Sequence, residues 1–229
     1  MRSYGPNSVA LAIGLSALAG YVDAIGFLHL GGFFVAFMSG NSTRLGVALA
    51  GMKWFNVAIA GGLIGSFVGG VVLAELLARL VGERWRRAAV LLMQALLLVV
   101  AAALHFEGWT KPGVALMTVA MGTENTIFRR NGEVTIGLTY MTGTLVKMGQ
   151  HICVALTGGP RFGWVSYFTL WFGMLCGAVI GAFIFGLIGL NALWFAALAA
   201  VVFSAFAAFV DPVPAHKEPE RANAPRRSN

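Results

Sequence analysis

Two short polar runs hold most of the residues that could do chemistry in this chain. "FMSGNSTRLG", residues 37–46, sets Ser39, Gly40, Asn41, Ser42, Thr43 and Arg44 inside an apolar stretch. "TYMTGTLVKMGQH", residues 139–151, does the same with Thr142, Gly143, Thr144 and Lys147. Glycine lets a backbone leave the helix, and Ser, Asn and Thr suit the N-cap of a helix that restarts behind it. Such an N-terminus carries partial positive charge and unpaired N–H groups, which suits an anion. Arg44 and Lys147 follow about one turn later and add full charge. A cation inside a membrane segment is costly and usually functional. These residues are therefore read as the binding site of a small polar or anionic solute. The competing reading has Arg44 and Lys147 snorkelling to an interface and anchoring their segments.

Asp23, in "YVDAIGF", and Asn125, in "TENTIFR", complete the expected site. Asp23 would bind a coupling proton or pair with Arg44. Glu124 is expected to pair near the interface with Arg129 and Arg130, and Glu75 with Arg79 on one helix face. His29, His105 and His151 form no metal-ligand pattern. Cys153 and Cys176 lie in apolar segments with no ligand spacing. No metal and no cofactor is expected. For an enzyme, Ser42 and Lys147 would have to serve as nucleophile and base. No clustered acids or histidines accompany them, so the protein is not read as an enzyme.

The elements that position these residues are apolar from end to end. Of 229 residues, 58% are hydrophobic and 11% charged, with a mean hydropathy of +0.79. A soluble domain carries roughly 25% charged residues, so the chain reads as an all-α polytopic membrane protein. Its net charge of +7 lies mostly between apolar runs and in the tail. There it orients a protein in the bilayer, and no nucleic-acid partner is expected. Arg2 and Ala17-Leu18-Ala19 resemble a cleavable signal. The repeat described below crosses that point, so the segment is kept as a first span. Residues 211–229, rich in proline and charge, read as a disordered cytoplasmic tail.

Eight apolar segments stand at about 9–28, 32–51, 55–81, 86–106, 112–128, 133–157, 163–188 and 190–210. A straight span needs roughly 20 apolar residues; the second and sixth segments are interrupted by the polar runs. Met38-Ser39-Gly40 aligns with Met141-Thr142-Gly143, and Arg44 with Lys147, at an offset of 103. Gly20 and Asp23 align with Gly122 and Asn125 at 102, and Gly65 and Gly69 with Gly173 and Gly177 at 108. Ordered blocks with slowly drifting offsets indicate a duplication, with halves at 1–107 and 108–210.

Basic residues choose the arrangement. Eight full crossings would put the cluster at Arg79, Arg84, Arg86 and Arg87 opposite the basic tail, against the positive-inside tendency. If the second and sixth segments enter and leave on one side, all basic clusters and both termini fall in the cytoplasm. The expected fold is then two inverted structural repeats, each with three full spans and one broken or re-entrant segment. The alternative is eight crossings with two discontinuous helices. Inverted repeats with interrupted helices are a transporter plan, with the site near the midplane.

"GYVDAIGF", "FMSGNSTRLG", "AMGTENTIFRR" and "TYMTGTLVKMGQ" together resemble the YoaK family of bacterial integral membrane proteins. The resemblance runs from Gly20 to about residue 205. It implies an inner-membrane location, and it supplies no substrate and no reaction. The expected function is a transporter or channel for a small polar or anionic solute; a non-transporting scaffold or sensor is the main rival. The expected partners are the lipid bilayer, the solute, and a second copy approaching through Gly-rich helix faces.

Overall fold

A computed structural model describes residues 5–82, 84–130, 133–134 and 137–209. The expected tail, Arg2 and the basic residues beyond 209 lie outside the described residues. Eight α-helices appear among them: α1 (Pro6–His29), α2 (Met38–Ala50), α3 (Trp54–Val81), α4 (Arg86–Phe106), α5 (Thr110–Glu124), α6 (Met141–Leu156), α7 (Val165–Ile188) and α8 (Leu193–Phe209). A 3-10 turn, Gly189–Ala192, separates the last two, and a two-residue antiparallel ladder pairs Arg129–Arg130 with Glu133–Val134. The stretches Pro6–His29, Trp54–Val81, Arg86–Phe106 and Val165–Ala208 are long and apolar enough to cross a membrane.

Length separates the elements. At 1.5 Å per residue, α1 is about 36 Å long, α2 about 20 Å and α6 about 24 Å. Neither α2 nor α6 spans a hydrocarbon core of about 30 Å. The 15 residues of α5 are also short of a full span, and buried Asn125, Thr126, Ile127 and Phe128 extend its path.

Helix directions follow from named contacts. Ile13, Ala17 and Tyr21 on α1 meet Gly173, Gly177 and Gly181 on α7 in that order, so these helices run parallel. Arg87, at the start of α4, donates from Nη1 to Ser8 Oγ at 3.4 Å and lies 5.3 Å from the Phe128 ring centroid. The beginnings of α1 and α4 therefore share one end of the bundle with the chain just after α5. Gly26, near the end of α1, packs on Met117 within α5, so α1 and α5 run in opposite directions.

One packing pattern occurs twice. A side chain at Gly20 would collide with the Met174 carbonyl, and one at Gly177 with the Ala17 carbonyl. A side chain at Gly122 would likewise strike the Phe67 carbonyl, and one at Gly70 the Val119 carbonyl. The first helix of each half thus packs on the third helix of the other, backbone against backbone. The matching contacts make positions of α3 correspond to positions of α7 at an offset of 107, one less than expected. Gly70, not Gly69, is the residue that corresponds to Gly177. Gly173, Gly177 and Gly181 are used up inside the chain, whereas Gly61, Gly62, Gly65 and Gly69 face open space.

Candidate functional site

The chain breaks earlier than the polar runs suggested. After α1, Gly31 (φ +63°) and Gly32 (φ +108°) turn the backbone through conformations that other residues rarely adopt. Residues 33–37 then run back beside α1, and α2 begins at Met38. Gly40 and Gly143 sit within helices rather than at the breaks. The N-caps are Phe37 and Tyr140, and neither helix has a side-chain cap. Ser39, Asn41, Ser42, Thr142 and Thr144 are therefore not N-caps.

Asp23 holds the first break in place. Its Oδ1 accepts the Val35 and Ala36 N–H groups, both at 2.8 Å. Asn41 locks the same segment from the other side. Its Oδ1 accepts the Phe34 N–H at 3.0 Å, its Nδ2 donates to the Phe34 carbonyl at 2.6 Å, and it is fully buried. A carboxylate beside the start of a helix is favoured by the helix dipole. The anion expected at α2 is thus supplied by the chain itself.

The second break repeats the scheme with neutral groups. Thr139, which corresponds to Ala36, donates from Oγ1 to Asn125 Oδ1 at 2.9 Å. Asn125 Nδ2 donates to the Met121 carbonyl. Thr144, the counterpart of Asn41, is buried and bonds the Tyr140 carbonyl. Leu138, the counterpart of Val35, is wholly buried, and its carbonyl accepts from Ser16 Oγ at 3.3 Å.

The two breaks meet at a cavity of about 610 Å³. Asp23, Ala36 and Phe37 line it from the first half, and Thr139, Met141 and Thr142 from the second. Its remaining wall is apolar side chains of α1 and α7, and exposed Leu28, Leu145 and Val179 form a rim on the flank of the bundle. Asp23 is the one charged residue in its lining.

Arg44 and Lys147 are not brought together, because α2 and α6 make no contact. The Arg44 guanidinium lies among Phe27, Phe33 and Phe34, 5.3–5.9 Å from their centroids. It lines a separate cavity of about 750 Å³ with Thr43 and Lys53. It makes no ion pair with Asp23, whose carboxylate is turned to the break. Lys147 and Gly143 are exposed on α6. Ser39, Ser42 and Thr43 are exposed, and the Ser42 and Thr43 hydroxyls bond the carbonyls four residues back. Ser42 and Lys147, on helices that do not touch, are not brought together.

Glu124 departs most from expectation. It is wholly buried rather than interfacial, and Gln94 of α4 donates to it; the side chains of Arg129 and Arg130 lie outside the described residues. Arg86 and Arg87, read as loop charges, are also buried, and Arg86 Nη1 donates to the Thr126 carbonyl at 2.9 Å. Cations at the head of an apolar run look like surface anchors, and nothing in their spacing distinguishes a clamp.

Residues 11–206 match a family described as "Protein of unknown function (DUF1275)". The chain belongs to this family. Among curated relatives, the UPF0700 transmembrane protein RA0705 of Rhizobium meliloti (strain 1021) is 37% identical over 170 residues, covering 72% of this chain and 71% of the relative. The UPF0700 transmembrane protein YoaK of Bacillus subtilis (strain 168) is 34% identical over 146 residues, 60% of this chain and 64% of that protein. No solved structure matches. The transmembrane relatives and the apolar helices together make this a multi-pass membrane protein.

Proposed function

We propose that this DUF1275 protein is a transporter or channel for a small solute, whose path passes through the cavity between the two breaks. The observation that carries the reading is the shared lining: Asp23 and Phe37 from one half face the same space as Thr139 and Thr142 from the other. Non-helical backbone at membrane depth persists only when buried in protein or lining a cavity, and both conditions meet here.

The reading takes the halves as inverted repeats, with α2 and α6 re-entering from opposite faces. Its support is the opposed direction of α1 and α5 and the shared end at Ser8, Arg87 and Phe128. Eight crossings would require α1 and α5 to run the same way. The proposal places the protein in the inner membrane with both termini cytoplasmic, and assigns it no catalytic step.

The lining also revises the solute. One carboxylate, two hydroxyls and a mostly apolar wall suit a neutral or cationic solute with an apolar body. They do not suit the anion that Arg44 and Lys147 suggested.

Thr142 lies exposed at the cavity, so Thr142→Trp fills it without disturbing a buried contact. Proteoliposomes should admit neutral or cationic test solutes faster than protein-free vesicles, and T142W should cut that flux at least about tenfold. Flux equal to protein-free vesicles for neutral, cationic and anionic solutes alike contradicts the proposal.

A further inference from the structure

Glu124 ends α5 with no exposed surface, and Gln94 on α4 is equally enclosed. Gln94 Nε2 donates to Glu124 Oε2 at 2.7 Å. This leaves Glu124 Oε1 and Gln94 Oε1, both buried and both without a hydrogen-bond partner. Two acceptors cannot satisfy each other, and an unmet buried polar atom is costly. An ionised carboxylate with one neutral partner is costlier still in such a place, and a group so placed takes up a proton.

Among the described residues, the one hydrogen bond given to Glu124 comes from neutral Gln94. On α4, Arg86 is directed to the Thr126 carbonyl, and Arg87 to Ser8 and the Phe128 ring. On α3, Arg79 is exposed and Glu75 has a partner of its own. On α1, Asp23 is held by the Val35 and Ala36 amides.

One proton satisfies both orphaned oxygens. We propose that Glu124 and Gln94 form a binding site for a single proton: Glu124 carries it on Oε1 and donates it to Gln94 Oε1, closing a cyclic acid–amide pair with the existing Nε2–H···Oε2 bond. The proton comes from water and returns to water on release, leaving a carboxylate; no other bond changes. The site belongs to the second half alone, since Val22 occupies the corresponding place in α1. It adjoins Asn125, the acceptor for Thr139 at the second break. Proton occupancy is therefore set beside Asn125, which accepts from the cavity-lining Thr139. The pair stands whether or not that cavity conducts a solute.

Infrared difference spectroscopy of the full chain in lipid nanodiscs, in water and in deuterium oxide, tests this. At neutral pH the wild type should show a protonated-carboxyl stretch that moves on deuteration. The band should be absent in Glu124→Gln and retained in Glu75→Gln. E124Q should fold with unchanged thermal stability, because its amide N–H replaces the O–H donor and its oxygen still accepts from Gln94. Gln94→Leu keeps the acid but removes its partner, and should move the band to higher frequency. A spectrum without a protonated-carboxyl band, one that E124Q leaves intact, or one that Q94L leaves unmoved overturns the proposal.

Discussion

At the scale of residues, the first break depends on two side chains that satisfy backbone groups. Removing the Asp23 carboxylate leaves the Val35 and Ala36 N–H groups without an acceptor. Each unmet buried N–H costs about 1–3 kcal/mol. Asp23→Ala should therefore lower the melting temperature in detergent micelles clearly, and Asp23→Asn, which keeps one acceptor oxygen, should lower it less. Equal losses would mean that charge rather than acceptance is what matters. Asn41→Ala should destabilise by about 2 kcal/mol or more, since it abandons both the Phe34 N–H and carbonyl. Asn41→Asp, which sets a second acceptor against the Phe34 carbonyl in a buried site, should destabilise at least as much; thermal denaturation followed by circular dichroism checks the order. Some of this was legible beforehand. Asp23, Asn41 and Asn125 stood out as polar residues in apolar surroundings, and the duplication paired the first and last of them. Their roles are not legible there, because an acid inside an apolar span reads the same whether it holds its own backbone or couples to a solute. Thr139 lay inside the quoted motif and was passed over; its place opposite Ala36 in the repeat was the available signal.

At the scale of elements, small residues set the close contacts, and their positions decide which glycines matter. Gly177 abuts the Ala17 backbone and Gly70 the Val119 backbone, whereas Gly61 and Gly65 have nothing within 4 Å. Gly177→Val and Gly70→Val should abolish monodisperse protein on size-exclusion chromatography. Gly61→Ala should elute and melt as wild type while the chain is monomeric. A tolerated Gly177→Val would mean that α1 and α7 do not pack as described. Composition located every long helix to within a few residues, because a continuous apolar run about 20 residues long has few alternatives. It misplaced the two breaks for a physical reason. Polar residues in a membrane helix can bond their own i−4 carbonyls, as Ser42 and Thr43 do, so polarity did not mark where the helix stops. Gly31 and Gly32, just upstream, did.

At the scale of the whole molecule, α1 packs on α7 and α5 on α3, so the two proposed halves exchange partners. Such an exchange makes each half incomplete alone. Neither residues 1–107 nor 108–210, expressed separately, should give a folded membrane protein, and co-expression should restore one; a stably folded single half would argue against the exchange. The arrangement also brings the breaks together at one cavity, a feature no local pattern could announce, because it depends on how α1 and α7 lie beside both loops.

In the proposed topology the two short helices re-enter from opposite faces of the membrane. It is tested most directly by single-cysteine labelling in a background free of Cys153 and Cys176. Cysteines at Met52, just after α2, and at Thr157, just after α6, are reacted with a membrane-impermeant thiol reagent from each side in turn. Met52 is exposed, and so is Thr157. The account predicts labelling of Met52→Cys from the outside only and of Thr157→Cys from the inside only. Labelling of both from the same side, as eight full crossings require, would contradict it.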